Sequence, residues 1–329
     1  MTATTSEENK RRIWEYWTEL ETVSPERRIE LHDEYLSPQI HWFGPHPINS
    51  ITGSRALEFS LYSPLFDAFP DLRRRTDVFF AESFEGSEWI SATGYLIGTF
   101  SREWLGIPAH GKTAYIRFGE FSRMEEGKIT ETRILFDLVD LLRQVGIRVL
   151  PESPGEERIV PGPEAGDGVL LAARDSGESR KTLELVEAMI FGLGSYDQSN
   201  LESMGMEKYW DPQKMVWYGP TGIGTTYGLE GFQKYHQQPF LRAFPDRKGG
   251  HHVARLAEGL YAATTGWPSV LATHRGEYLG TPASDRRVQM RVMDWWRREG
   301  ELLTENWVFI DLPHLFLQFG IDLLKPLHE

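Results

Sequence analysis

"VMDWWRREGELLTENWVFID", residues 292–311, reads as two strands around a tight turn. Apolar and polar residues alternate on both sides of the turn, the pattern of a half-buried antiparallel pair. Leu303, Glu305, Trp307, Phe309 and Asp311 fall on one face of the second strand, and Thr304, Asn306, Val308 and Ile310 on the other. A turn at Glu299 and Gly300 sets Asp294 opposite Glu305, and a turn one residue away sets it opposite Trp307. Either count puts Asp294 on the Trp307 face, unless a bulge intervenes. Like charges opposed on a sheet are destabilising. A face holding rings and carboxylates together is therefore expected to be a pocket wall, where a second carboxylate would raise the pKa of the first.

The pattern has a counterpart upstream. "YLSPQIHWFGP" at 35–45 returns as "YWDPQKMVWYGP" at 209–220, and "AFPD" at 68–71 returns at 243–246. "EWLGIPA" at 103–109 returns as "EYLGTPA" at 277–283, and "FDLVDLLRQVG" at 136–146 as "IDLPHLFLQFG" at 310–320. The separation stays at 174 or 175 residues, too long for a solenoid and right for two copies of one domain. The copies are expected over 1–150 and 179–329. The linker, drawn over 151–178, begins with the Pro-, Gly- and acid-rich "PESPGEERIVPGPEAGDG" and is read as exposed. Each copy opens with a helix, marked by Ile13, Trp14, Trp17 and Leu20 or by Leu183, Val186, Met189 and Ile190. A second helix, a short strand ending in Gly-Pro, a third helix ending at Phe-Pro-Asp, and several long strands follow. Helices followed by a run of antiparallel strands indicate an α+β class. Two tandem cone-shaped α+β barrels are expected, each a curved, mainly antiparallel sheet with three helices enclosing a pocket.

Composition narrows the function. The 329 residues are 40% hydrophobic and 25% charged, with a formal net charge of -13. An acidic chain is a poor nucleic-acid partner. The absence of cysteine excludes disulfides and thiolate chemistry. The polar start "MTATTSEENKRR" and the absence of a bilayer-length apolar run predict a cytoplasmic protein with no membrane partner. Eleven Trp, 12 Tyr and 18 Phe supply rings for walls around a flat, small-molecule ligand. "GPTGIGTTYG" at 219–228 lacks the spacing of a dinucleotide or phosphate loop and reads as a turn or a loop at a pocket mouth. There is no Gly-x-Ser-x-Gly elbow.

"WYGP", "AFPD", "THRGEYLGTPASDRRV" and "GELLTENWVFID" with its Leu-rich tail and "QFG" resemble the SnoaL-like polyketide cyclases, also called predicted ester cyclases, of the nuclear transport factor 2-like superfamily. The resemblance covers roughly 9–147 and 180–324 and is closer in the second half. It implies the cone fold, no cofactor and no metal. It also implies an aspartate near the end of the last strand as acid/base in an aldol-type ring closure. The motif Glu-x-Trp-x-x-x-Asp falls on Glu305, Trp307 and Asp311, and in the first copy on Glu131, Arg133 and Asp137. Where such cyclases tend to carry a histidine on the preceding strand, this chain has Asp294 and Glu120. Single-domain relatives pair through their sheets, which implies an internal pseudo-dimer and allows homo-oligomers.

Asp311 is accordingly expected as general base, Asp294 as its partner or second acid, and His274 as oxyanion stabiliser. Trp307, Glu305, Trp296, His252, Trp217, Tyr218, His236 and Trp267 are the expected substrate contacts, with a tie to backbone or an arginine the alternative for Glu305. His236, His251, His252 and His274 stand where the first copy has Leu61, Thr76, Asp77 and Phe100, so a proton shuttle specific to the second copy is one reading. A metal held with Asp311 is another, which lacks the helical His spacing. In the first copy Glu120 is expected to pair with Arg133, leaving Asp137, so the second copy is the expected active one. The chemistry expected is enolate formation on a small, partly apolar carbonyl compound. A non-catalytic small-molecule binder and a hydrolase with an acid-activated water are the alternatives.

Overall fold

In the computed structural model, which describes residues 5–325, the first helix starts where its own sequence caps it. Thr5 accepts from the Glu8 amide at 3.3 Å and Glu8 returns the bond to the Thr5 amide at 2.8 Å, so two otherwise unpaired donors of the first turn are satisfied. Helix α1 (Ser6–Leu20) buries Ile13, Tyr16, Trp17 and Leu20. Helix α2 (Pro25–Tyr35) begins at a Ser24 cap with proline in its first turn, where a missing amide costs nothing. Strands β1 (Leu36–Phe43) and β2 (Ser50–Thr52) follow, then a helical run α3 (residues 54–68) that widens into a π-turn over Glu58–Tyr62. Strands β3 (Arg73–Phe84), β4 (Ser87–Thr99), β5 (Thr113–Glu125) and β6 (Lys128–Phe136) form a meander, and helix α4 (Leu138–Gln144) closes the unit. The sheet order is β2-β1-β6-β5-β4-β3, antiparallel except for the parallel pair β1–β6.

The second unit repeats this plan with α5 (Ser176–Leu193), β7 (Val216–Tyr218), β8 (Thr225–Tyr227) and α6 (residues 228–243, with its own π-turn at Gln233–Gln237). Strands β9 (Lys248–Gly249), β10 (His252–Glu258), β11 (Tyr261–Thr273), β12 (Arg287–Glu299) and β13 (Leu302–Ile310) lead to helix α7 (Leu312–Phe319). Its sheet runs β10-β11-β12-β13-β7-β8, with β9 also on β11 and a parallel β7–β13 pair. Two tandem α+β cones are therefore present, the fold class the sequence predicts. The inner face of the second sheet is set by its apolar cluster: Val186 and Met189 of α5 and Leu229, Phe232 and Leu241 of α6 pack with Trp217, Ala262, Trp296 and Val308.

Two expectations need correction. The second copy has no full second helix; two 3-10 turns, Leu201–Met204 and Met206–Lys208, take its place, because Gly205 enters the left-handed region (φ 61°) and stops propagation. The segment after residue 150 is also no free tether. Residues Arg148–Glu164 belong to the second compact unit and Ala165–Ala173 to the first, with Val160 and Leu170 buried. The chain's outermost residues, 1–4 and 326–329, lie outside the described residues. Among the described residues no helix is long and apolar enough to cross a membrane.

Candidate active sites

One extra residue decides which face each acid occupies. The turn is Gly300–Glu301, so Glu299 pairs with Leu302 and Arg298 with Leu303; a bulge at Thr304 then makes Arg297 the partner of Glu305. Downstream of it Asp294 pairs with Val308, Trp295 with Trp307 and Trp296 with Asn306. A one-residue slip exchanges the faces. The expectation that Asp294 shares a face with Trp307 and opposes Glu305 is thus overturned. Asp294 and Trp296 point inward with Asn306 and Val308, whereas Glu305, Trp307, Phe309 and Asp311 lie on the outer face. The first copy has the same bulge at Thr130, between the pairs Arg123–Glu131 and Met124–Ile129.

Inside the second cone, Trp217, Asn306, Trp296 and Ala262 form one row across β7, β13, β12 and β11. Val308, Asp294 and Thr264 form the next. Asp294 is half-buried, and its side chain takes one weak bond, from the Asn306 amide at 3.4 Å. Desolvation raises its pKa to about 7, against the smaller pull of Asn306. The Trp296 indole N–H is buried with no acceptor. His236, from the π-turn, stacks on Trp217 at 4.2 Å, and burial pushes its pKa down to about 3, so it is a neutral ring in this wall.

The outer-face residues have other work. The Glu305 carboxylate accepts from the Glu164 amide at 3.2 Å and the Tyr218 hydroxyl at 3.4 Å, the Trp307 indole donates to the Pro161 carbonyl at 3.0 Å, and Tyr218 stacks on Trp307 at 5.4 Å. Glu305 and Trp307 thus hold the 148–164 segment, and Tyr218 packs against both. Desolvation moves the Glu305 pKa to about 6, with the Glu164 amide and Arg297 opposing it. Asp311 caps α7 through the His314 amide at 3.1 Å and meets Arg291 at 3.1 Å. Arg291 in turn lies 4.9 Å over the Trp267 ring. Asp137 caps α4 in the same way, through the Asp140 amide at 3.0 Å.

In the first cone Glu120 occupies the inner position equivalent to Asp294, but its partner is Arg74 at 2.9 Å, with Ser122 donating at 2.9 Å. Arg133 pairs instead with Glu131 at 2.7 Å and lies over Phe43, so the expected Glu120–Arg133 pair does not form. The same bulge is the reason: Glu120 opposes Ile134, while Arg133 opposes Phe121 on the other face. Glu120 and Arg74 line a cavity of about 60 Å³ walled by Trp17, Trp42, Tyr62 and Phe136. Arg74 and Tyr62 were not singled out in the sequence, because their partners are distant in the chain.

The histidines of the second copy are dispersed. His274 is buried, bonds to Ser284 at 3.1 Å and stacks on Phe319 at 3.8 Å; desolvation lowers its pKa. His252 starts β10, half-buried, with its pKa lowered by burial and then by Arg255 and His251. Among the described residues no three His, Asp or Glu side chains converge as a metal site requires.

The chain is thus a duplicated α+β cone with one acid, Glu120 or Asp294, on the inner sheet face of each copy. The SnoaL-like polyketide cyclase family matches residues 17–145 and 199–319, well over half of the chain, and the chain belongs to that family. Three similar solved structures are a SnoaL-like polyketide cyclase from Agrobacterium tumefaciens str. C58 (17% identity, 42% of this chain and 98% of that one, TM-score 0.34), IdmH from Streptomyces antibioticus (20%, 43% and 99%, 0.34) and an NTF2-like protein of unknown function from Burkholderia pseudomallei K96243 (18%, 41% and 95%, 0.33). No protein of curated function matches the chain.

Proposed function

We propose that the chain is a cofactor-independent acid/base enzyme, and that Asp294 of the second cone removes a proton beside the carbonyl of a small, partly apolar substrate. The observation that carries this reading is an inward carboxylate with no cation beside it among the described residues and a pKa raised to about 7 by an apolar wall. Such a group is a base strong enough to act and an acid able to return the proton near neutral pH. The Asn306 amide holds the carboxylate, and the buried Trp296 N–H is a donor available to the oxyanion as charge develops on the carbonyl oxygen. The C–H proton passes to Asp294, the electron pair becomes the enolate, and the enolate cyclises, isomerises or eliminates. Membership of the SnoaL-like family supports this class of chemistry. The earlier expectation for Asp311 as base loses weight, since its two oxygens serve a helix cap and Arg291.

Deuterium wash-in from solvent into ethyl benzoylacetate, an aromatic β-keto ester, tests the proposal by proton NMR. Wild type should accelerate exchange over buffer, and Asp294→Asn should lower the enzymatic rate by roughly 100-fold or more. Unchanged exchange in Asp294→Asn, or its loss in Asp311→Asn alone, would remove Asp294 from the role.

A further inference from the structure

The π-turn of the first cone is anchored at its start and presents a tyrosine at its end. The buried Glu58 carboxylate takes Nε2 of His32 at 2.9 Å, Nη2 of Arg28 at 2.9 Å and the Ser63 hydroxyl at 2.8 Å. Burial raises the Glu58 pKa, but these hydrogen bonds outweigh it and hold the carboxyl at about 2, so the anchor is ionised. Tyr62, the last residue of the turn, lines the cavity. Tyr16 and His32 stand in file behind it. The Tyr16 hydroxyl donates to that of Tyr62 at 3.2 Å, and the His32 ring lies 4.9 Å from the Tyr62 ring. A phenol has one proton to give and lone pairs to receive with. Tyr62 therefore accepts from Tyr16 and keeps its own proton, which has no acceptor among the described residues. Burial pushes its pKa to about 12, so the hydroxyl stays a donor at neutral pH.

A second donor at the same cavity is also unmatched. The Arg74 guanidinium is clamped over Trp17 at 3.5 Å and Phe118 at 4.0 Å. Its Nη1 donates to Glu120 at 2.9 Å and its Nε to Thr76 at 3.2 Å, and Nη2 is buried without a partner. Tyr62 is close enough to Arg74 and Glu120 for both charges to act on its hydroxyl. Thr132, also in the lining, is engaged: Ser122 gives its proton to Glu120, so the 2.9 Å contact between Thr132 and Ser122 uses the Thr132 proton.

Two unmatched donors among rings suit an acceptor with two lone pairs in one plane, which is a carbonyl oxygen. The charge balance selects a neutral one. Arg74 is already paired with Glu120, and Glu21 is a second carboxylate in the lining, so an anionic ligand would meet two like charges. The second cone does not repeat the donor pair: Gln237 stands in the place of Tyr62, and the place of Arg74 falls on β9.

We propose that the first cone is a second binding site, which takes a small neutral ketone, ester or amide and holds its carbonyl oxygen between the Tyr62 hydroxyl and Nη2 of Arg74. Trp17, Trp42 and Phe136 wall the apolar remainder. No bond is made or broken there. Glu120 is tied to Arg74 and Ser122, unlike Asp294, so this cone polarises a carbonyl without enolising it.

Cyclopentanone labelled with carbon-13 at the carbonyl tests this by NMR titration. It should bind saturably in roughly the millimolar range. Methylenecyclopentane has the same outline without the oxygen, and cyclopentanecarboxylate adds a charge; each should compete about tenfold less well or worse. Tyr62→Phe keeps the ring and removes one donor. It should weaken the ketone about tenfold, leave the alkene as it is, and move the bound carbonyl resonance upfield. Should that variant not fold, Arg74→Lys keeps a charge beside Glu120, withdraws the guanidinium donor, and should give the same result. A ketone held in the second cone would respond to neither substitution. No saturable binding, equal competition by the alkene, tighter binding of the carboxylate, or an affinity and resonance unchanged by the substitution overturns the proposal. So does an equal loss for ketone and alkene, which would mark a merely structural role for the side chain.

Discussion

The Glu120 carboxylate lies 2.9 Å from the Arg74 guanidinium. One repeat later the strand position of Glu120 holds Asp294, and the position of Arg74 falls at the short β9 strand, Lys248–Gly249. The inner acid of the first cone is thus paired with a clamped cation, and that of the second, among the described residues, with the Asn306 amide alone. One backbone plan carries two electrostatic designs, an ion pair beside a tyrosine file and a lone carboxylate among rings. The duplication preserves the cone and releases the pocket chemistry of each copy to differ.

The raised pKa of Asp294 is a statement about stability. Its folded value, about 7, lies above the unfolded carboxylate range, so between pH of about 4 and 7 the folded state binds more protons than the unfolded one. Stability contributed by this group is full below the unfolded pKa and is lost as pH rises through 7. Asp294→Asn removes the titration. The variant should match wild type in unfolding free energy near pH 4 and exceed it by roughly 1–3 kcal/mol at pH 8, after discounting for partial exposure. Urea unfolding at the two pH values measures this, and a difference that does not grow with pH refutes it.

Arg74 and Glu120 make the opposite case. Both are nearly buried, with side-chain exposures of 11% and 7%. Arg74→Leu leaves the Glu120 charge uncompensated in the cavity, an expected loss of about 3–5 kcal/mol. Arg74→Leu with Glu120→Leu should regain most of it, since an apolar pair of similar volume needs no solvation. Denaturant midpoints of the single and double variants read the coupling directly.

Much of the fold was legible because it rests on local or repeated signals: the helical spacing of Ile13, Trp14, Trp17 and Leu20, the Gly-Pro and Phe-Pro-Asp punctuation, and the constant offset between copies. The site was less so. Alternation counted from the turn assigns faces correctly only if no residue is inserted, and Thr304 is inserted. Its counterpart Thr130 shows that both copies share the bulge, yet nothing in "KIT" or "LLT" announces it before the register is seen. The repeat comparison did find the Glu120–Asp294 correspondence. It could not find Arg74 as the partner of Glu120, because that pairing spans β3 and β5 and depends on how the sheet curls. Asp311 was conspicuous in the sequence as an acid among apolar residues; the helix it caps explains that prominence as well as catalysis would.

That reading of Asp311 separates from catalysis by experiment. Asp311→Ala removes the acceptor for the His314 amide and the partner of Arg291, with an expected loss of roughly 2–4 kcal/mol. Asp311→Asn keeps a capping oxygen and should lose about half as much. Both variants, assayed below their unfolding transitions, should retain proton exchange on a β-keto ester, and Asp294→Asn should not. Thermal melts paired with wash-in rates distinguish the two aspartates, and exchange that vanishes in a folded Asp311→Asn protein would return the base to Asp311.

The repeated Trp-x-Gly-Pro element makes a final, purely steric prediction. In each copy the tryptophan ring folds back over the glycine two residues on: a Cβ added at Gly219 would sit 2.0 Å from the Trp217 ring, and one at Gly44 would sit 2.1 Å from the Trp42 ring. These are inner-wall rings, so the glycine sets the wall. Gly219→Ala must push Trp217, and with it the stacked His236, out of place, with an expected loss of about 1–3 kcal/mol and a changed near-ultraviolet circular dichroism spectrum. Gly231, inside α6, has its nearest neighbour at 3.8 Å from the added Cβ, so Gly231→Ala should stabilise by up to about 1 kcal/mol through helix propensity alone. Opposite signs for the two substitutions in one denaturation series are the expected result; a loss of equal size in both would mean that general intolerance of alanine, and not the ring above Gly219, sets the cost.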